Sequence, residues 1–138
     1  MIMQDLATSR ISIFDRYNLL LPKKWHSHWD GQPGRRTVFI TDDRERITIS
    51  FEEEMELMDM LPGREESVSY QCRQDGKYLH LRRKKQGAVR HAFFHLELAA
   101  ADGSTLCLPG QMVVDPGYLW ADGIEPGLME ILKGISVK

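Results

Sequence analysis

Apolar and polar residues alternate along most of this chain, and the alternation is strongest between Ser67 and Val114. Successive side chains of a β-strand point to opposite faces, so a period of two predicts strands with one buried face. Glycine accepts the positive φ that tight hairpin turns require, and four glycine-containing pairs interrupt the alternation. These pairs are Asp75-Gly76, Gln86-Gly87, Asp102-Gly103 and Pro109-Gly110. The pattern therefore predicts strands joined by short turns.

The same alternation predicts strands along the rest of the chain. The predicted strands are Arg10–Phe14, Tyr17–Leu21, Thr37–Thr41, Arg46–Phe51, Ser67–Cys72, Lys77–Lys84, Ala88–Leu98, Ser104–Leu108 and Gln111–Val114. The segment His26–Gly34 contains Asp30-Gly31 and Pro33-Gly34, so it is predicted to be a loop. Because nearly all connections are short, the sheet should be mainly antiparallel.

Two segments change to a helical period. In Glu53–Leu61, apolar residues recur at steps of three after an acidic first turn, which favours the helix dipole. In Pro126–Lys133, Pro126 suits the first helical position and Gly134 suits the stop, while one apolar face continues to Ile135. We therefore expect an α+β fold: a mainly antiparallel sheet, formed as a meander of hairpins that can curl, with two short helices.

The predicted core follows from the apolar faces of these elements. It comprises Ile11, Ile13, Leu19, Leu21, Val38, Ile40, Ile47, Ile49, Leu79, Leu81, Phe94, Leu96 and Leu106. At 138 residues the chain is long enough to bury such a core, and we expect a single α+β domain over residues 1–138.

Composition restricts the class of protein. The net charge of −2 gives no global attraction to nucleic acid or anionic membrane, and no apolar run is long enough to span a bilayer. The start, Met1 to Asp5, lacks the features of a secretory signal. Two cysteines, Cys72 and Cys107, do not make a disulfide framework, so we expect reduced, half-buried thiols. The expected location is the cytoplasm of a bacterium or similar cell.

One segment resembles a known family. A strand, Tyr17–Leu21, ends at Pro22 with Trp25 nearby, and a polar loop and the hairpin Thr37–Phe51 follow. This order resembles the opening of PsbP/Mog1-like domains. The resemblance covers about the first 60 residues, and the long meander after Ser67 departs from it. The family includes partner-binding and chaperone-like proteins, so the resemblance implies a non-enzymatic binding role and carries over no functional residue.

The histidines are candidate metal ligands. On an extended chain, His26 and His28 share one side, and with Asp30 or a remote ligand they form a candidate site for a divalent metal such as zinc. Alternatively, His80, His91 and His95 converge if the Gln86-Gly87 hairpin sets that register. No Cys-x-x-Cys or His-Glu-x-x-His accompanies either group. We therefore favour ordinary surface and cross-strand histidines, with a metal-dependent enzyme as an alternative.

Charge is distributed unevenly. From Asp42 to Glu66 there are ten acids and three bases, and from Arg73 to His91 there are seven bases and one acid. The basic run at one hairpin tip comprises Arg82, Arg83, Lys84 and Lys85. It is a candidate site for an anionic ligand or nucleic acid. The alternative is a solvated turn that protects a sheet edge, which we favour.

Aromatic loops are the remaining candidates. Trp25 and Trp29 lie around the first long loop, and Tyr118 and Trp120 lie around a late one. Such loops line partner surfaces, although core anchoring is favoured for Trp25 and Trp120, and Trp29 beside Asp30-Gly31 is expected to be exposed. No nucleophile or phosphate-binding motif is present. We therefore expect no catalytic residue and no cofactor, and we predict an adaptor or chaperone-like module that holds a protein partner or a second copy.

Overall fold

The structure, a computed structural model, describes residues 9–53, 67–74, 76–84, 90–118 and 124–138. This part of the chain forms ten β-strands and one α-helix. They are β1 (Ser9–Ile13), β2 (Tyr17–Leu21), β3 (His26–Asp30), β4 (Thr37–Thr41), β5 (Ile47–Glu52), β6 (Ser67–Gln74), β7 (Lys77–Lys84), β8 (His91–Ala99), β9 (Thr105–Val114), α1 (Pro126–Lys133) and β10 (Ile135–Val137).

Seven strands form one antiparallel sheet in the order β3-β4-β5-β9-β8-β7-β6. After β5 the chain resumes at the far edge with β6 and returns strand by strand, until β9 pairs with β5. The predicted meander of β6 to β9 is thus present, and β3 and β6 are the two edges of the sheet.

The strand register decides which side chains share a face. Ile40 lies opposite Ile49, and Ile49 opposite Met112, and all three are fully buried. The alternate residues point the other way: Ser50 lies opposite Gln111, which lies opposite Phe93. The sheet therefore has one core face and one outer face, as expected for alternating antiparallel strands.

A smaller sheet and the helix complete the core. Strands β1, β2 and β10 form a three-stranded antiparallel sheet with β2 in the middle. Leu19 of β2, Ile131 of α1 and Ile135 of β10 are fully buried in the same hydrophobic core as the large sheet. Every predicted core residue belongs to this core, although Ile11 and Leu106 are only partly buried.

Helix α1 begins and ends at the predicted residues. Pro126 occupies its first turn, and the Glu125 side chain caps its N-terminus by accepting a hydrogen bond from the Leu128 N–H. At the other end Gly134 is the C-cap, and the Lys77 ammonium donates to the carbonyls of Leu132 and Lys133. A cation at the C-terminus of a helix complements the helix dipole.

The prediction that His26–Gly34 is a loop is wrong for its first half. His26–Asp30 forms β3, which pairs with β4 throughout. A turn before it reverses the chain, with the Trp25 N–H bonded to the Pro22 carbonyl at 3.1 Å. The strand shows no apolar alternation because four of its five residues are exposed. Backbone pairing, which the sequence pattern does not record, therefore determines this element.

The prediction of a turn at Pro109-Gly110 is also wrong, because β9 runs straight through both residues. Proline usually breaks a central strand, since it has no N–H to donate. Here the pairing between β5 and β9 ends at Phe51 and Gly110, so no paired acceptor faces Pro109 on that side. Ile135, which the pattern joined to the helical face, instead begins β10.

The fold class is closer to all-β than the expected α+β. The sheets are mainly antiparallel, as predicted, but the described residues contain one helix where two were expected. The other predicted helix, Glu53–Leu61, lies outside the described residues except for Glu53, and so does the predicted turn Gln86-Gly87.

Candidate partner-binding site

Trp29 lies on an edge of the seven-stranded sheet. Its strand, β3, pairs with β4 and with no other described strand. The Trp29 side chain is 40% exposed, and within the described residues only Leu20 and Val113 are comparable exposed large hydrophobics. A tryptophan is a large apolar surface to leave in water, and exposed apolar surface marks interaction sites when it forms part of a patch. The residues around Trp29 therefore determine whether its exposed ring forms part of an interaction site.

Trp29 forms one wall of a surface cleft of about 330 Å³. The Phe14 ring meets the indole edge-on, with 5.7 Å between the ring centroids and 82° between the planes. The Arg36 guanidinium carbon lies 5.7 Å from the Phe14 ring and 5.8 Å from the Trp29 ring, within cation–π range. The cleft is lined by Ser12, Phe14, Asp15, Trp29, Asp30, Gly31 and Arg36.

Glu53 holds Arg36 in place. The Arg36 Nε and Nη2 groups donate to the two carboxylate oxygens of Glu53 at 2.9 and 3.0 Å. The backbone N–H groups of Gly34 and Arg36 donate to the same carboxylate, each at 3.0 Å. The Arg36 hydrogen bonds, supported by these backbone donors, lower the pKa of Glu53 to about 2. Two parallel bonds fix a guanidinium in orientation as well as position, so Arg36 is a preorganised cationic wall of the cleft.

The turn between β1 and β2 positions Phe14. Phe14 and Asp15 have φ values of +52° and +58°, in the left-handed region. A bulky side chain rarely adopts that conformation, and it costs on the order of 1–3 kcal/mol where it occurs. Phe14 is only 6% exposed because its ring packs inward against the core and Trp29. Backbone strain of this kind concentrates at ligand-binding and switch regions.

The other aromatic candidates lie elsewhere. Trp25 is partly buried against the core, and a Cβ built at Gly127 would stand 3.4 Å from its ring, so Trp25 packs on the start of α1. Tyr118 donates a hydrogen bond to Glu125, and the Arg46 guanidinium carbon lies 5.0 Å from its ring. Trp120 lies outside the described residues. Trp25 and Tyr118 thus support α1, and neither lines the cleft at Trp29.

The basic hairpin does not present all its charges together. Arg82 and Arg83 point to opposite faces of β7, and Arg82 lies opposite Phe93 on the outer face. Arg83 is buried, with its Nη2 group donating to the Tyr70 hydroxyl at 2.6 Å. The side chain of Lys84 and the whole of Lys85 lie outside the described residues.

The register brings two of the five histidines together. His80 lies directly opposite His95, with 5.1 Å between the ring centroids. Burial lowers the pKa of His80, and the nearby charges of His95 and Arg82 lower it further. His91 does not join them, because its Nε2 atom is hydrogen-bonded to the Gln111 side chain at 2.7 Å.

The remaining histidines, His26 and His28, are exposed on β3. Both share the outer face with Asp30, as the spacing predicts, and His28 lies against the Phe39 ring. Among the residues that the structure describes, no three side chains of histidine, cysteine, aspartate or glutamate lie close enough together to hold a metal ion. Both cysteines are free thiols; Cys72 is half-buried as expected, whereas Cys107 is exposed.

The sequence indicated Trp29 but not its surroundings. The alternation places Phe14 at the end of a strand, and no local pattern links Arg36 or Glu53 to Trp29. The described helix is too short to cross a membrane. No family model, curated protein or solved structure matches this chain. The geometry of the cleft is therefore the basis for a functional proposal.

Proposed function

We propose that the protein is a binding module of the adaptor or chaperone-like kind, which acts through protein–protein contacts centred on Trp29 and performs no catalysis. The observation that carries the proposal is the exposed Trp29 on an edge strand, beside a cleft with a fixed arginine. Tryptophan, tyrosine and arginine are the residues that most often dominate the energy of protein interfaces.

The local geometry supports a protein partner over a charged ligand. Arg36 already forms ion pairs with Glu53 and Asp15, and its Nη2 atom lies 3.7 Å from the Asp15 carboxylate. The cleft also contains Asp30, so its fixed charges are mixed. A surface with one large aromatic and balanced charges fits an amphipathic polypeptide better than a polyanion.

The test compares three variants for capture of partners from the native cell extract. We expect Trp29→Ala to weaken the complex by about 1–3 kcal/mol, as truncation of a hot spot does. Val113→Ala is the matched control, since Val113 is 46% exposed but lies on β9, away from the cleft. It should leave binding unchanged.

The third variant, Arg82→Glu, distinguishes nucleic-acid binding from binding of a protein partner at Trp29. Phosphate contacts release counterions, so affinity for RNA or DNA falls steeply with salt, whereas an aromatic-centred interface loses much less. We expect Arg82→Glu to leave the complex intact and the salt dependence to be shallow. The proposal would be refuted if the protein captured RNA or DNA, if Arg82→Glu abolished that capture, and if Trp29→Ala left it unchanged. A thermal melt of each variant separates lost binding from lost folding.

A further inference from the structure

The backbone hydrogen bonds show which groups of β3 face the open edge. The Asp42 N–H binds the Ile47 carbonyl and the Glu53 N–H binds the Arg36 carbonyl, so even-numbered residues of β4 bond to β5. In an antiparallel strand the N–H and C=O of one residue point to the same side, and successive residues alternate. Odd-numbered residues of β4 therefore face β3, where their partners are His26, His28 and Asp30.

It follows that the backbone groups of Ser27 and Trp29 point away from β4. The structure describes no strand on that side of β3. Edge strands are usually protected from pairing by lysine, proline or a bulge. The sequence of β3, His-Ser-His-Trp-Asp, contains neither residue, and its pairing with β4 is continuous over all five positions. Within the described residues, this edge is open to another strand.

We propose that the partner that pairs with this edge is a second copy of the chain, whose β3 strand lies antiparallel to the first around a two-fold axis at His28. The inference rests on the proposed function and specifies its partner. In this arrangement Ser27 of each copy faces Trp29 of the other, and their outward backbone groups form four hydrogen bonds. His26 of each copy lies opposite Asp30 of the other.

Polar complementarity and register together favour this axis, because the imidazole of His26 in one copy donates a hydrogen bond to the carboxylate of Asp30 in the other. The pair formed by His26 and Asp30 occurs twice, and both residues occupy non-hydrogen-bonded positions, where cross-strand side chains come closest. An axis at Trp29 would need Gly31 as a bonding partner, but Gly31 has φ +91° and its N–H is bound to Asp30. An axis at Ser27 would need Trp25, whose N–H is bound to Pro22. Only the axis at His28 pairs the two outward residues of the strand, Ser27 and Trp29, with each other.

A cysteine at the axis tests the register directly. In the Cys72→Ser, Cys107→Ser background, His28→Cys places two thiols opposite each other with Cα atoms about 4.5 Å apart, within disulfide range. We expect rapid disulfide-linked dimer formation under mild oxidation. His26→Cys is the matched control on the same face of β3, and it should not link, because its counterpart lies far along the strand. Preferential linkage through His26→Cys or Ser27→Cys would overturn the proposed axis.

A charge exchange tests the pairing at the ends of the strand. We expect wild-type protein to dimerise with rising concentration in sedimentation velocity. His26→Asp places two carboxylates opposite each other at both ends, and should raise the dimer dissociation constant by about tenfold. Exchanging both residues, His26→Asp with Asp30→His, should restore the wild-type value. A double variant no tighter than His26→Asp would contradict the pairing.

These measurements separate the inference from the proposed function. A chain that stays monomeric at all concentrations, yet captures another protein in a Trp29-dependent way, overturns the self-pairing and leaves the binding role standing. A chain that neither dimerises nor shows Trp29-dependent capture overturns both.

Discussion

The hydroxyl of Tyr118 donates a 2.6 Å hydrogen bond to the carboxylate of Glu125, a side chain that is only 1% exposed. The second oxygen of Glu125 caps α1 by accepting from the Leu128 N–H at 3.0 Å. Arg46 lies over the Tyr118 ring and pairs with the buried Asp42 at 3.3 Å. The Glu125 carboxylate is thus linked, through Tyr118 and Arg46, to the hairpin of β4 and β5.

Removing that carboxylate should destabilise the protein. We expect Glu125→Ala to lower the free energy of unfolding by about 2 kcal/mol, since it removes both the helix cap and the partner of Tyr118. Tyr118→Phe removes the hydrogen bond but keeps the cap, so it should cost about 1 kcal/mol. Urea unfolding measures both. Equal costs for the two variants would show that the cap contributes nothing.

Gly110 lies where β9 passes beneath a phenylalanine. A Cβ at this position would collide with the Ser50 carbonyl and stand 2.6 Å from Cζ of Phe94. We expect Gly110→Ala to lower the free energy of unfolding by about 2–3 kcal/mol, because the strand must shift away from β5. Gly117→Ala, which meets nothing within 4 Å, is the matched control and should have little effect. Equal thermal melts of the two variants would refute the close packing.

The ion pair at the cleft predicts an acid transition. The pKa of Glu53 is about 2 in the folded protein, below its ordinary value of 4.5. A lowered carboxyl pKa stabilises the folded state above the ordinary value, and this contribution is lost as pH falls from 4.5 toward 2. We expect carboxyl NMR to give a Glu53 midpoint near 2.

Substitution of the arginine provides the control for that titration. Arg36→Ala removes the largest cause of the lowered pKa, so the Glu53 midpoint should rise toward 4.5. The Trp29 indole resonance should move with the same midpoint, because Arg36 lies over its ring. A wild-type midpoint near 4.5 would show that the guanidinium is not held as the structure has it.

Local rules predicted the elements whose buried faces are apolar. Four predicted elements begin and end at the same residues as in the structure: Tyr17–Leu21, Thr37–Thr41, Lys77–Lys84 and Pro126–Lys133. Each carries an apolar face of the right period or a clear cap, so the sequence alone contains the signal. The sequence also predicted the antiparallel arrangement, because short connections can join antiparallel strands but are too short for the crossovers that parallel strands need.

The site was less predictable because it depends on contacts between distant segments. β3 was missed because an edge strand with polar side chains has no apolar alternation. The cleft joins Phe14 in the turn between β1 and β2, Trp29 on an edge of the large sheet and Arg36 just before β4, and no local pattern relates these positions. The acidic run at Glu53 predicts the start of a helix, and no local pattern indicates that its carboxylate binds Arg36.

Amide hydrogen exchange along β3 tests the central claim most directly. The Ser27 and Trp29 N–H groups face the open edge, whereas the His28 N–H faces β4. We predict that Ser27 and Trp29 exchange rapidly in dilute protein and become protected when the complex forms, while His28 stays protected throughout. Formation of the complex without new protection at Ser27 and Trp29, or with protection confined to the hairpin of β7 and β8, would contradict the account.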